Sequence, residues 1–332
     1  NTVPFTFLDK AEKNILMDSI FPKDATNKKL TVEYTANPTW LMIQALPYVA
    51  QHNDRNAISM ASAYYANVLG KYIMNQSPVI KKVVELWKKE NKNEEGSLLS
   101  ALEKNQELKT LVLEETPWVM DADRETDQKK MLCTFFNESA IDYSISSLLT
   151  NMKKLQNSDG SWSWWRGMRG SASITAQVLQ TLARLNVMAG YQKATAKMIE
   201  NGMDYLRTVV MKEFEEMKRM EKKGQKPMIC DYHAIQYLYI NTLLGKNPFY
   251  DSDYVELKNY LLKYLEADRH RDIYSKALMA VVLNGDGKAK KAKEYVESIR
   301  QYTVTKPGMG TYFDTWHAGY SWFNYRIPTQ TA

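Results

Sequence analysis

Two cysteines, four histidines and a few paired acids are the residues of this 332-residue chain that catalytic or metal chemistry could use. A thiolate nucleophile or a zinc set needs ligands close in spacing, yet Cys133 and Cys230 lie far apart with no C-x-x-C or Cys/His pattern. They read as buried free thiols, with a single bridge as the other reading. Cys230, Asp231 and His233 tempt as metal ligands, but crowded into one short segment they cannot all face one ion without distortion. His52, His270 and His317 have no evident nucleophile or ligand partner. Asp121 and Asp123 in "DADR" approach the Asp-rich motif that protonates an alkene, but the adjoining third acid is missing. Both precede a helical segment, as do Asp251 and Asp253 in "DSD", and helix capping is the expected role of such acids.

The other candidate chemistry is aromatic. In "LQNSDGSWSWWRGMRGSASITAQVLQTL" three tryptophans, Trp162, Trp164 and Trp165, occupy four positions beside an Asp-Gly turn. Such a cluster serves either as a platform for a ligand or as a clamp between helices. Gly160 is expected to give the exit from the preceding helix, with Asp159 and Ser161 satisfying backbone donors in the turn. Gln156, Asp159, Gly160 and Trp162 then form a structural turn motif, with Trp162 packed against helix ends. Trp164 and Trp165, together with Tyr312, Trp316 and Trp322, are the candidates for a ligand surface.

The elements that must position these residues are helical. Residues 1–38 differ from the rest: Leu30, Val32 and Tyr34 alternate with polar neighbours as in a half-buried strand, and Asn37-Pro38 breaks it. This segment is expected to be the tail of a preceding β-domain and a linker. From residue 39 to 332 apolar residues recur at helical spacing, for instance Ile58, Ala61, Tyr65 and Val68. Ser77-Pro78 opens one block, and Gly224, Gly245 and "NGDG" at 284–287 punctuate others. Nothing between the blocks alternates long enough to predict a sheet. The expected fold is all-α, an α/α toroid of paired antiparallel helices.

"SWSWWRGMRGSASITA" has a looser echo in "YSWFNYRIPTQTA", each running from a Ser-Trp pair to a Thr-Ala. The echo reaches Ala332 where a helix is due, so the ring is expected to be incomplete at the C-terminus. A chain that opens on Asn1 is expected to be a mature or excised segment.

The helix ending in "KLQNSDGSW", the aromatic loop and the helix opening "ITAQVLQTL" together resemble the helical toroid of terpenoid cyclases and of thioester-containing domains. Upstream, "NPTWLMIQALPYV", "YYANVL", "SALEKNQELKTLVLEETPWV" and "QKK" resemble the thioester-domain region of Bacteroides-type bacterial alpha-2-macroglobulin proteins, over most of the chain from Thr31 onward. In that family a Cys-x-Glu-Gln motif between the "LPY" and "YYAN" elements forms an internal thioester that acylates a captured protease. Here the interval reads "VAQHNDRNAISMASA", with Asn56 at the cysteine position, Ile58 at the glutamate and Ser59 at the glutamine. An asparagine amide offers no thiolate and a serine offers no acyl group, so the bond cannot form there. Neither does a glutamine stand three residues after Cys133 or Cys230, where Phe136 and His233 are found.

The resemblance implies a thioester-less domain that is not an enzyme. It binds or traps proteases without covalent chemistry, or packs against other domains of a longer chain, in defence or host colonisation. It also implies an extracytoplasmic protein, periplasmic or lipid-anchored at the outer membrane.

The rival reading is a carbohydrate-binding or carbohydrate-active toroid, a lyase or glycosidase. Twenty-one tyrosines and eight tryptophans could line its cleft, but no acid pair is marked by spacing or motif. A net charge of +6 is spread over helix faces where glutamates interleave with lysines, so no nucleic-acid partner is expected. No apolar run is long enough to span a bilayer, which excludes direct membrane insertion of this segment. No cofactor or metal is expected.

Overall fold

The computed structural model describes residue 14 and residues 38–51, 55–93, 129–227, 231–245, 251–267, 272–306 and 310–313. Among these, helices dominate, as the periodicity predicts. They are α1 (Pro38–Ala50), α2 (Ala57–Gln76), α3 (Pro78–Asn93), α4 (Glu138–Leu155), α5 (Ala172–Ala189), α6 (Ala196–Lys222), α7 (Asp231–Leu244), α8 (Ser252–Ala267), α9 (Ile273–Gly285) and α10 (Ala289–Arg300). A short helix over residues 129–135 precedes α4, and a 3₁₀ turn, Lys193–Thr195, leads into α6. The expected strand at Leu30–Tyr34, the acids Asp121 and Asp123, and the "YSWFNYRIPTQTA" echo lie outside the described residues.

One element departs from expectation. After α10 the chain turns into an antiparallel pair, β1 (Thr303–Lys306) and β2 (Gly310–Phe313), with Val304 opposite Tyr312. Each strand is four residues long, too short for alternation to register. The β-branched run Thr303-Val304-Thr305 and the Pro307-Gly308 dipeptide were the available signals.

The described residues fall into two compact units, one over Thr39–Lys263 and one that Tyr264 opens. In the first, α2 is buried on more than one face, through Ala57, Met60, Ala61, Ala63, Tyr64, Ala66, Asn67, Val68, Gly70 and Met74. A helix buried in this way needs partners on several sides, and α2 packs on α3, α4 and α5. Its small residues let those partners approach: a Cβ on Gly70 would come within 2.7 Å of the Phe135 ring. Asn67 is buried without penalty because its Nδ2 donates to the Ala63 carbonyl at 2.8 Å.

Helices α2, α5 and α7 run in the same direction. Between α5 and α7, Ser173 meets His233, Gln180 meets Gln236 and Arg184 meets Tyr239, so numbers rise together along both. Between α2 and α5, Ala57 bonds the loop just before α5, and the charge of Arg184 reaches Tyr65 further along. Antiparallel helices link this parallel set. The start of α4 meets the end of α2, through Asp142 to Lys71 and Ile141 beside Gly70. The long α6 shows an apolar stripe of Ile199, Met203, Leu206, Val210, Phe214 and Met217 at three- and four-residue steps.

Near the C-terminal end of α2, Ile43, Met74, Val84, Leu132, Cys133 and Phe136 form one apolar cluster. Cys133 is a buried free thiol, and burial pushes its titration up, so it is a packing residue rather than a nucleophile. Cys230 lies outside the described residues.

In the second unit α9 and α10 pair as a helical hairpin across the expected Asn284–Gly287 turn. Lys276 is buried there, and it remains solvated by protein: Nζ donates to Ser298 Oγ at 3.0 Å and lies 4.9 Å from the centre of the Tyr302 ring.

Gly160 and Gly167 both have φ of +85°, but their surroundings differ. A Cβ on Gly160 would fall 2.0 Å from the Asn201 carbonyl oxygen, whereas one on Gly167 would meet nothing within 4 Å. Gly167→Ala is expected to cost about 1–2 kcal/mol from the left-handed backbone alone. Gly160→Ala should cost about 3 kcal/mol or more, since the backbone must also move. Urea unfolding of the two variants measures the difference.

Candidate functional site

The starts of α2, α5 and α7 are brought together, through the contacts of Ala57 and Ser173, at the tryptophan loop between α4 and α5. Helix α4 ends at Leu155, and Gln156 takes an extended conformation. Gln156 pairs with Trp162, and Trp162 with Ser171, as isolated antiparallel bridges. The expected helix exit does not fall at Gly160: the helix has already ended at Leu155, five residues earlier, and Gly160 closes a turn in which its own N–H donates to the Asn157 carbonyl at 3.0 Å. The left-handed glycine serves the turn, because the extended Gln156 had already taken the chain out of the helix.

The turn motif is tightly bonded. Gln156 Nε2 donates to the carbonyls of Gly160 and Met198, each at 2.9 Å. Asp159 Oδ1 accepts from the Ser161 N–H at 3.0 Å and from the Ser161 hydroxyl at 2.6 Å, and these bonds hold its carboxyl below the usual range. Gly170 must be glycine because a Cβ would sit 1.9 Å from Ser161 Oγ.

Trp162 is fully buried. Its indole N–H donates to the Met152 carbonyl at 3.2 Å, and its backbone N–H donates to Thr175 Oγ1 at 2.8 Å. Gly202 on α6 leaves room for the ring, since a Cβ there would come within 2.8 Å of it. One side chain thus ties the end of α4, the start of α5 and the face of α6, which is the clamp reading. Thr175, Met198 and Gly202 belong to the same clamp, and nothing in the local spacing marks them.

Trp164 and Trp165 behave differently, at 42 % and 54 % exposed. Their ring centres are 6.0 Å apart and the planes are inclined by 41°. Arg166, Met168 and Arg169 beside them are also exposed. Tyr312 belongs to the second unit, on β2, while Trp316 and Trp322 lie outside the described residues. Of the five proposed surface aromatics, the structure therefore brings together Trp164 and Trp165.

The Trp164 carbonyl accepts the Ala57 N–H at 3.2 Å, which joins the loop to the first residue of α2. Just before it stands Asn56, mostly buried, whose Oδ1 accepts the Ser59 N–H and whose Nδ2 donates to Ser59 Oγ, both at 2.9 Å. This is a helix N-cap with a reciprocal side-chain bond. Ile58, between them, is half-buried. Asn56 and Ser59 are thus two neutral polar side chains bonded to one another.

Of the remaining candidates, His52, His270 and His317 lie outside the described residues. Asp251 caps α8 by accepting the Tyr254 N–H at 2.9 Å, and Arg207 pairs with it at 2.6 Å, which lowers its titration. The same Arg207 lies 3.7 Å from Asp253. His233 turns away from a metal role: its Nε2 is 3.0 Å from Ser173 Oγ, and its Nδ1 is 3.6 Å from Glu213 Oε1. Among the described residues no three His, Cys, Asp or Glu side chains form a metal-binding group, and no described helix is long and apolar enough to cross a membrane. Burial pushes the Tyr237 phenol on α7 up to about 12, so it remains protonated in the core.

Compared with protein-family models, with curated proteins and with solved structures, the chain matches none.

The two tryptophan environments predict opposite outcomes. Trp162→Ala should lower unfolding stability by about 3–5 kcal/mol, the usual cost of emptying a buried aromatic site. Trp165→Ala should leave it within about 0.5 kcal/mol. Chemical denaturation followed by far-UV circular dichroism reads both.

Proposed function

We propose that this chain is a thioester-less helical domain of an alpha-2-macroglobulin-like extracytoplasmic protein, and that it works by non-covalent contact. The observation that carries this reading is the pair Asn56 and Ser59. They stand where the resemblance places the reactive cysteine and glutamine, and their side chains bond each other as an ordinary helix cap. The α/α ring belongs to the same proposal. It draws support from the parallel run of α2, α5 and α7 and from the antiparallel helices between them. The domain would then act on proteases, or on neighbouring domains, through shape and surface rather than by acylation.

Incubating the protein with an active protease should give no SDS-resistant adduct, and methylamine pretreatment should change nothing. An adduct that methylamine abolishes would overturn the proposal, because a small amine consumes a thioester.

The exposed Trp164 and Trp165 favour a second reading, in which the loop binds polysaccharide. Stacking on sugars should retain the protein on an insoluble polysaccharide column, and Trp165→Ala should release it. Passage of the wild-type protein through a panel of such columns would remove this reading.

A further inference from the structure

Several threonine hydroxyls among the described residues fold back on their own helices. Those of Thr150, Thr175, Thr181, Thr208 and Thr242 each donate to the carbonyl four residues earlier, at 2.7 to 3.0 Å. Ser173 does otherwise. Its hydroxyl reaches across from α5 to α7 and shares a 3.0 Å hydrogen bond with His233 Nε2. On the far side of the imidazole, Nδ1 faces Glu213 Oε1 of α6 at 3.6 Å. The serine is exposed, while the His233 and Glu213 side chains are 18 % and 32 % exposed. A half-buried imidazole therefore stands between a carboxylate and an accessible hydroxyl, in the order that nucleophilic catalysis requires. The 3.6 Å separation is longer than a hydrogen bond, as catalytic contacts often are in the absence of substrate.

The backbone around Ser173 adds a second element. Ser171 caps α5, and the first bond of the ladder is Thr175 N–H to the Ser171 carbonyl at 2.9 Å. The amides of Ala172 and Ser173 precede that ladder, at the positive end of an eighteen-residue helix. The partial positive charge of this helix end favours negative charge developing in its vicinity.

We propose that Ser173, His233 and Glu213 form an acyl-transfer centre that cleaves small carboxylic esters. Ser173 Oγ attacks the ester carbonyl carbon and its proton passes to His233 Nε2, while Glu213 faces the Nδ1 proton. The tetrahedral adduct expels the alkoxide, which takes the proton from Nε2 and leaves as an alcohol, and the acyl group remains on Ser173. Water then attacks the acyl-serine, giving one proton to Nε2. Breakdown releases the carboxylic acid as that proton returns to Oγ. Atoms balance with water as the sole co-reactant. This activity uses neither Asn56 nor Ser59, so it stands or falls apart from the non-covalent reading above.

A fluorophosphonate probe tests it on the intact protein, with the labelled residue located by peptide mass spectrometry. The expected result is one phosphonyl group on Ser173 and a stoichiometric burst of p-nitrophenolate from p-nitrophenyl acetate. Ser173→Ala should lose both. His233→Gln should slow labelling by about 100-fold or more. Glu213→Gln should also slow it, with Glu213→Asp restoring the rate, since a carboxylate rather than mere bulk positions the imidazole. Absence of label on Ser173 in the wild-type protein would overturn the proposal, as would a His233→Gln protein that keeps its native circular dichroism and labels at the wild-type rate.

Discussion

A fully buried indole has one polar atom, and its N–H needs an acceptor in a fixed place. Trp162 finds that acceptor in the Met152 carbonyl, and this requirement sets the geometry around it. The ring can enter because Gly202 carries no side chain, and it is held in register because its backbone N–H uses Thr175 of the next helix. Three helices meet at one residue that supplies both the apolar volume and the polar constraints. The turn before it then has little freedom: Gly160 fits under the Asn201 carbonyl, and Gly170 fits against Ser161.

The surface makes a smaller contribution to the same architecture. Lys71 with Asp142 and Lys81 with Glu138 bridge helices at 2.6 and 2.7 Å, but all four side chains are largely exposed, and such pairs add little in salt solution. The interior carries the weight instead, through the small-residue faces of α2 and the apolar stripe of α6. Some of the polar groups that enter it find partners in their neighbours, as with Asn67 and the Ala63 carbonyl or Lys276 and Ser298. Stability and site geometry are therefore coupled, because the loop that presents Trp164 and Trp165 is fastened by the buried Trp162.

The tryptophan loop and the start of α2 share one packing constraint. The Ala57 N–H and the Trp164 carbonyl keep the two segments joined. Within that frame, Asn56 and Ser59 spend their hydrogen-bonding capacity on each other and on the helix end. A reactive group at this place would have to give up that cap. The hydroxyl of Ser173 and the imidazole of His233 form a separate polar connection between α5 and α7.

The sequence by itself determined the helices, because their apolar spacing, the capping acid Asp251 and the glycine turns are local signals. It also identified Trp162 as a clamp and excluded a thioester at Asn56 and Ser59, since covalent chemistry depends on residue identity alone. The short strands of the hairpin escaped it, being below the length at which alternation is visible. Only tertiary structure decided that Gly160 serves a turn rather than a helix end, that Trp164 bonds the start of α2, and that His233 faces Ser173 and Glu213. These residues come from segments far apart in the chain. Their meeting follows from helix direction and packing distance, and neither property is written in any local run of amino acids.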